Sequence, residues 1–260
     1  MDTINIRELD VNRMIYPTNE TYNDPNDTKG GSRIIVIGGS GSGKSKLIKS
    51  LIYSKKHMIP CGMFMSGSED NNHDLNEYIP DLFVYNSYDE KALESLIKRQ
   101  KYAQKYKVPN PWCLLLLDDV TDSSKIFNSE IQSALFKRGR HMKLMYILSL
   151  QYALDLRATL RNSIDGVFIL REPSPKIRKK LWENYAGIIP DFKMFCDMMD
   201  QLTTDHTAIY IHNRSTSNNI DDCVYYYRAD IKKLDSFKFG CPEFWKCHHE
   251  RYDQNYSQNV

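Results

Sequence analysis

No apolar stretch in this chain approaches the roughly 20 residues that a bilayer-crossing helix needs, and the mean hydropathy is −0.55. The opening residues, Met1-Asp2-Thr3-Ile4-Asn5-Ile6-Arg7-Glu8, have neither the basic start nor the apolar core of a secretory signal. The expectation is a protein without a membrane span that stays in the compartment where it is made. A disulfide framework is missing too: the six cysteines stand at 61, 113, 196, 223, 241 and 247 with no C-x-x-C pair, which fits free thiols in a reducing compartment. Cys241, Cys247, His248 and His249 lie close in sequence, but without that spacing they do not define a zinc site. An excess of one charge is also absent. The 35 Lys and Arg face 33 Asp and Glu, and a net charge of +2 says nothing about a polyanionic partner. There is no internal repeat. What remains, 260 residues with 41% hydrophobic and 26% charged side chains, suits one α/β domain of ordinary size with a modest addition.

Against this plain background one segment carries chemistry. Gly38-Gly39-Ser40-Gly41-Ser42-Gly43-Lys44-Ser45 satisfies every fixed position of the phosphate-loop pattern G-x-x-x-x-G-K-[ST], and it follows the strand-like run Arg33-Ile34-Ile35-Val36-Ile37. Glycines let the backbone turn with positive φ and bring its amides onto the β-phosphate. Lys44 supplies point charge, and the Ser45 hydroxyl suits Mg²⁺. A helix pattern from Lys46 to Tyr53 completes the strand-loop-helix context, so the chain is expected to bind a nucleoside triphosphate.

Along the rest of the chain, residues 1–31 read as an N-terminal arm or strand-containing extension, 32–239 as a P-loop ATPase domain, and 240–260 as a loosely ordered C-terminal tail. Strands are expected at Gly62–Met65, Leu82–Tyr85, Trp112–Leu117, Leu144–Ser149, Gly166–Leu170, Thr207–Ile211 and Cys223–Tyr227. Helices are expected at Asp89–Tyr106, Asn128–Arg138, Arg157–Asn162, Pro175–Tyr185 and Asp191–Leu202. Such alternation implies an α/β fold with a mainly parallel sheet and helices on both faces.

In open α/β sheets ligands collect outside the carboxyl ends of the strands. The Leu114–Leu117 run ends in Asp118-Asp119, and the Leu144 strand runs into Ser149-Leu150-Gln151. Side by side, these ends would put the phosphates, an acidic pair and a glutamine in one cleft. Asp118 is the natural partner of Ser45 in holding Mg²⁺, because a hard cation prefers oxygen ligands. Asp119 would be the base or the water-orienting group, although many strand-catalytic P-loop ATPases carry Glu there and Asp is one methylene shorter. Gln151 could orient the water or sense the γ-phosphate, having both a donor and an acceptor. An oligomeric NTPase should also present an arginine to a neighbouring site, and Arg138 and Arg140 are the first candidates, with Arg161 third.

The set of phosphate loop, Leu-Leu-Leu-Leu-Asp-Asp, Arg138-Gly139-Arg140-His141, Ser149-Leu150-Gln151 and Leu160-Arg161-Asn162-Ser163-Ile164-Asp165 resembles the DNA-packaging ATPases of nucleocytoplasmic large DNA viruses, within the FtsK/HerA group of ring-forming motors. The resemblance implies a RecA-like sheet with a strand inserted between the phosphate-loop strand and the acidic strand. It implies ATP-driven movement of double-stranded viral DNA into a capsid by a homo-oligomeric ring, working with a capsid or portal-like vertex protein in the host cytoplasm (the viral factory) or the virion. Lys98, Arg99, Lys101 and Arg178-Lys179-Lys180 are then possible DNA contacts. Two other readings of the residues stand beside it, a nucleotide or small-molecule kinase and an ATP-gated assembly protein with little hydrolysis.

Overall fold

Three apolar runs dictate the centre of the molecule, because a strand with no polar side is stable only when both its faces are covered. A computed structural model describes residues 6–24, 27–67, 75–120, 124–152, 156–230, 234 and 236–253. The nine strands found there are β1 (Arg7–Glu8), β2 (Ser32–Ile37), β3 (Gly62–Ser66), β4 (Val84–Tyr85), β5 (Cys113–Asp118), β6 (Leu144–Leu150), β7 (Gly166–Ile169), β8 (Thr207–His212) and β9 (Val224–Arg228). They form one sheet in the order β1-β9-β8-β7-β2-β6-β5-β3-β4. From β7 to β4 every pairing is parallel, whereas β8 runs antiparallel to both β7 and β9. The glutamine strand β6 lies between the phosphate-loop strand β2 and the acidic strand β5, with Ile34 opposite Ile147 and Leu116 opposite Ile147 on the other side.

Strand period 2 then sorts the side chains into two cores. Ile35, Ile37, Leu115, Leu117 and Leu148 face one side, and Ile34, Val36, Leu114, Leu116 and Ile147 the other. The helices, in chain order, are α1 (Val11–Met14), α2 (Lys44–Lys55), α3 (Glu90–Lys105), α4 (Glu130–Arg138), α5 (Ala158–Arg161), α6 (Pro175–Tyr185), α7 (Phe192–Leu202), α8 (Ile220–Cys223) and α9 (Pro242–Arg251). The first core is covered by Leu93 and Leu96 of α3, Leu135 of α4, Leu181 of α6 and Phe195 of α7. Leu47, Ile48, Leu51 and Ile52 of α2 cover the second. Each such aliphatic side chain contributes about 1.5–3 kcal/mol by leaving water. Helix starts follow ordinary capping chemistry: the Asp89, Ser129 and Asp191 side chains accept from the backbone N–H groups of Ala92, Gln132 and Met194. No described helix is long and apolar enough to cross a membrane.

Two expectations are corrected. The segment read as a strand at 82–85 opens with a 3₁₀ turn, Asp81–Phe83, and only Val84–Tyr85 pairs with β3. Within the region read as a loose tail, residues 242–251 form α9, starting with Pro242 at its first turn. Phe244 anchors it by stacking on Phe83 at 4.1 Å and meeting Phe239 edge-on. Residues 254–260 lie outside the described residues. The arm, whose residues 1–5, 25 and 26 also lie outside them, packs on its own chain: β1 pairs with β9, and Leu9 N–H donates to Tyr226 O at 2.8 Å. The same arm meets the end of α2, where the fully buried Lys55 ammonium donates to Val11 O, Ile15 O and Pro17 O at 2.8, 2.7 and 2.7 Å.

The start of β2 is pinned by charge. Arg33 is buried and forms a two-pronged pair with Asp165, Nε to Oδ2 at 2.8 Å and Nη2 to Oδ1 at 3.0 Å, and its backbone N–H adds a third bond to Oδ2 at 2.8 Å. Asp165 closes the Leu-Arg-Asn-Ser-Ile-Asp element, so part of that motif is scaffold for the phosphate-loop strand.

Candidate functional site

Beyond Ile37 the chain leaves the sheet edge and wraps into the phosphate loop. Gly41 and Gly43 take φ of +74° and +97°, which side chains other than glycine rarely adopt. Gly38 is needed for space instead: a Cβ there would lie 2.5 Å from Ser42 Oγ. Gly43 is the N-cap of α2 and offers no side-chain cap. The first-turn N–H groups therefore remain available to an anion. Lys44 Nζ donates to Gly38 O at 2.7 Å and Gly39 O at 3.3 Å. Burial pushes its pKa down, opposed by the negative charges of Asp118 and Asp119. Ser42 Oγ, inside the loop, and Ser149 Oγ, two residues before Gln151, are buried without a hydrogen-bond partner among the described residues.

The acidic pair sits across β6 from this loop. Asp118 ends β5 in register with Ser66 and shares the row of Leu114 and Leu116, the face covered by α2. That row brings its carboxylate to the phosphate-loop side of the sheet. Asp119 leaves the row with φ +51°. Aspartate is among the few non-glycine residues enriched in this left-handed region and glutamate is not, which gives a backbone reason for the shorter acid. Gly67 is the residue that makes room for the turn: its N–H donates to Asp118 O at 3.1 Å, and a Cβ on it would lie 2.4 Å from Asp119 O. Gln151 Nε2 donates to Asp119 Oδ1 at 2.6 Å.

The structure thus brings together Lys44, Asp118, Asp119 and Gln151. It does not bring Arg138 or Arg140 to the site of their own chain. Gly31 N–H donates to Arg140 O at 2.7 Å just before β2 starts, so both arginines stand at the opposite edge of the sheet. Six residues of β2 separate the edges, about 20 Å at strand rise. Arg161 donates to Leu156 O at 2.9 Å and lies over the Tyr185 ring at 5.9 Å. Arg178, read as a DNA contact, is buried and held by Asp200 at 2.7 and 3.0 Å, with a further bond to Glu172 O. Two residues escaped sequence reasoning. Gly67 was visible only as a glycine past a short strand, and His206, which lies against Gly43, had no local signal at all.

An exposed serine hydroxyl and one carboxylate make an all-oxygen donor set, which fits Mg²⁺ completed by substrate phosphates and water. Among the described residues no three His, Cys, Asp or Glu side chains cluster as a metal site, Cys241, Cys247, His248 and His249 included.

A mainly parallel sheet with a phosphate loop after its central strand, and a glutamine strand between that strand and the acidic one, defines a P-loop NTPase. The chain belongs to the family of the Poxvirus A32 protein, whose family model matches residues 22–233. It is 49% identical over 244 residues to the uncharacterized protein 088R of Invertebrate iridescent virus 3, covering 93% of this chain and 92% of that one. It is 35% identical over 248 residues to the uncharacterized protein 015R of Frog virus 3 (isolate Goorha), covering 95% and 75%. Among solved structures its fold is similar to the genome packaging NTPase B204 of Sulfolobus turreted icosahedral virus 2 in complex with ATP-γ-S, with TM-score 0.52, 16% identity, and 79% and 98% of the two chains covered. EssC (ATPases 2 and 3) of Geobacillus thermodenitrificans gives TM-score 0.53 and 14% identity over 86% and 45%.

Proposed function

We propose that this protein is an ATP-hydrolysing motor that moves double-stranded viral genomic DNA into the capsid during virion assembly. It would act as a ring of identical copies docked on a capsid or portal-like vertex protein, in the viral factory of the host cytoplasm. The Gln151–Asp119 hydrogen bond beside Lys44 carries the reading, because it is a water-handling pair and hydrolysis needs one. Family membership and the fold shared with a genome packaging NTPase support the DNA side.

The residues divide the work as follows. Loop amides from Gly38 to Ser45 and the Lys44 ammonium hold the phosphates. Ser45 and Asp118 would hold Mg²⁺, which when bound neutralises charge on the phosphate oxygens. Gln151 fixes Asp119 Oδ1, leaving Oδ2 to orient the attacking water and accept its proton. Arg138 and Arg140, at the far edge, can serve only the site of a neighbouring copy. In Gln151→Ala, kcat is expected to fall about 100-fold through misplacement of Asp119, with the Kd for ATP unchanged. Stopped-flow phosphate release together with equilibrium binding checks this, and a changed Kd with normal kcat would make Gln151 a binding residue only.

The function itself is tested by steady-state phosphate release from ATP with Mg²⁺, with and without long duplex DNA, at low and moderate salt, with Asp119→Asn as the blank. Release should rise with DNA, weaken with salt as phosphate contacts are screened, and be lost in the variant. Activity indifferent to DNA and giving a phosphorylated acceptor would make this a kinase. Tight ATP binding without turnover would make it an assembly switch.

A further inference from the structure

We infer that His206 is a nucleotide-binding residue that donates a hydrogen bond to the phosphate nearest the nucleoside. This rests on the reading of residues 38–45 as an ATP site. Because β8 is antiparallel, its start lies at the edge where β2 ends: Ile37 pairs with Ile169, and Ile169 with Ile209. The turn before β8 therefore reaches the phosphate loop from a distant part of the chain, His206 lying 160 residues beyond Lys46. In that turn Asp205 and His206 both sit in the left-handed region, with φ of +47° and +60°. Aspartate and histidine are among the few non-glycine types enriched there, and two in succession persist where their surroundings hold them. Here Thr207 N–H donates to Thr204 O at 2.9 Å, Ala229 N–H donates to His206 O at 3.4 Å, and Asp205 meets Arg228 at 3.7 Å.

The ring that this turn delivers lies over Gly43, where a Cβ would be 2.8 Å from Nδ1. Its other nitrogen, Nε2, is 3.3 Å from Lys46 Nζ. An ammonium can only donate, so Nε2 is the acceptor of that contact, which leaves Nδ1, the nitrogen that faces the loop, as the ring's N–H donor. The direction of the triphosphate follows from strand order. Asp119 and Gln151 stand at the ends of β5 and β6, on one side of β2, whereas β7 and β8 lie on the other. The reacting phosphate belongs beside Asp119 and Gln151. The nucleoside end must then point toward β7 and β8, where His206 offers its N–H.

The test separates the ring from the strained backbone. His206→Gly removes the ring and relieves the left-handed turn, while His206→Asn tolerates the turn and keeps a donor. On the full chain, titration calorimetry with ATP and with pyrophosphate, which has no nucleoside-linked phosphate, is paired with thermal melting. His206→Gly should melt no lower than the wild type, bind ATP about tenfold more weakly and bind pyrophosphate unchanged, and His206→Asn should regain part of the ATP affinity. Wild-type ATP affinity in His206→Gly would reduce the ring to packing and overturn the inference. Equal weakening of both ligands would overturn it as well, by moving the contact to the outer phosphates. Lys44→Ala is the control that must weaken both. Should the wild type bind neither ligand, or Lys44→Ala bind both normally, the reading of residues 38–45 fails and the role of His206 falls with it.

Discussion

Asp119→Asn is expected to cut ATP hydrolysis by about 100- to 10,000-fold, the usual worth of a positioned general base, while leaving fold and nucleotide affinity intact. Asparagine is isosteric, and it accepts the φ of +51° found at this position as readily as aspartate does. Its amide oxygen still receives the Gln151 Nε2 bond. What it loses is the charge that draws a proton from water. Single-turnover hydrolysis, the Kd of a non-hydrolysable ATP analogue and the melting temperature together check the expectation. Hydrolysis at the wild-type rate would remove Asp119 from the chemistry and leave Asp118 as the remaining acid. A collapse of affinity or stability would instead make the residue part of the scaffold.

Lys55→Met should cost about 3–5 kcal/mol of stability and release the N-terminal arm to proteolysis. Methionine matches the stem but supplies no donor, so the carbonyls of Val11, Ile15 and Pro17 lose their shared partner in a buried place. The lysine also carries a pH signature. Burial pushes its pKa down from 10.5 to about 7, against a smaller upward pull from Asp10. Between those two values the unfolded chain holds more protons than the folded one, so stability rises as the pH climbs from about 7 toward 10. Urea melts at pH 7 and pH 9.5 read both effects, and the variant should lack this part of the pH dependence. A loss below about 1 kcal/mol, or an arm cleaved no faster than in the wild type, would show that the clamp is incidental.

Much of this was legible because the central strands are buried on both faces and so read as unbroken apolar runs. Ile34 to Ile37, Leu114 to Leu117 and Leu144 to Leu150 sit where their composition put them, and the polar groups after them share one edge. The lost elements had no such pattern. A strand-containing extension was legible before the core, but not the place of β1 in it, because β1 is two charged residues that pair only where β9 receives them. Helix α9 buries one side chain, Phe244, and no periodicity can be read from a single anchor; Pro242 followed by Glu243 was the signal that could have found it. At the site, the pairing of Asp119 with Gln151 follows from strand order. The contact of His206 with Gly43 depends on the reversed direction of β8 and on a turn with two positive φ values, neither of which leaves a mark in composition. The arginines were legible as charge but not as place, since only the register of β6 shows which edge they occupy.

The two ends of the sheet have a consequence for how copies of this chain can meet. A nine-stranded sheet with so apolar a middle would be a template for fibrous aggregation if its borders were long and flat. Among the described residues it closes instead with β1 on one side and β4 on the other, two residues each, and both β1 side chains are charged and exposed. An incoming strand would find too short a row of backbone groups to dock on. Copies that meet at these borders are thereby turned away from backbone zippering, which once formed is hard to undo, and left with side-chain contacts, which are readily reversed.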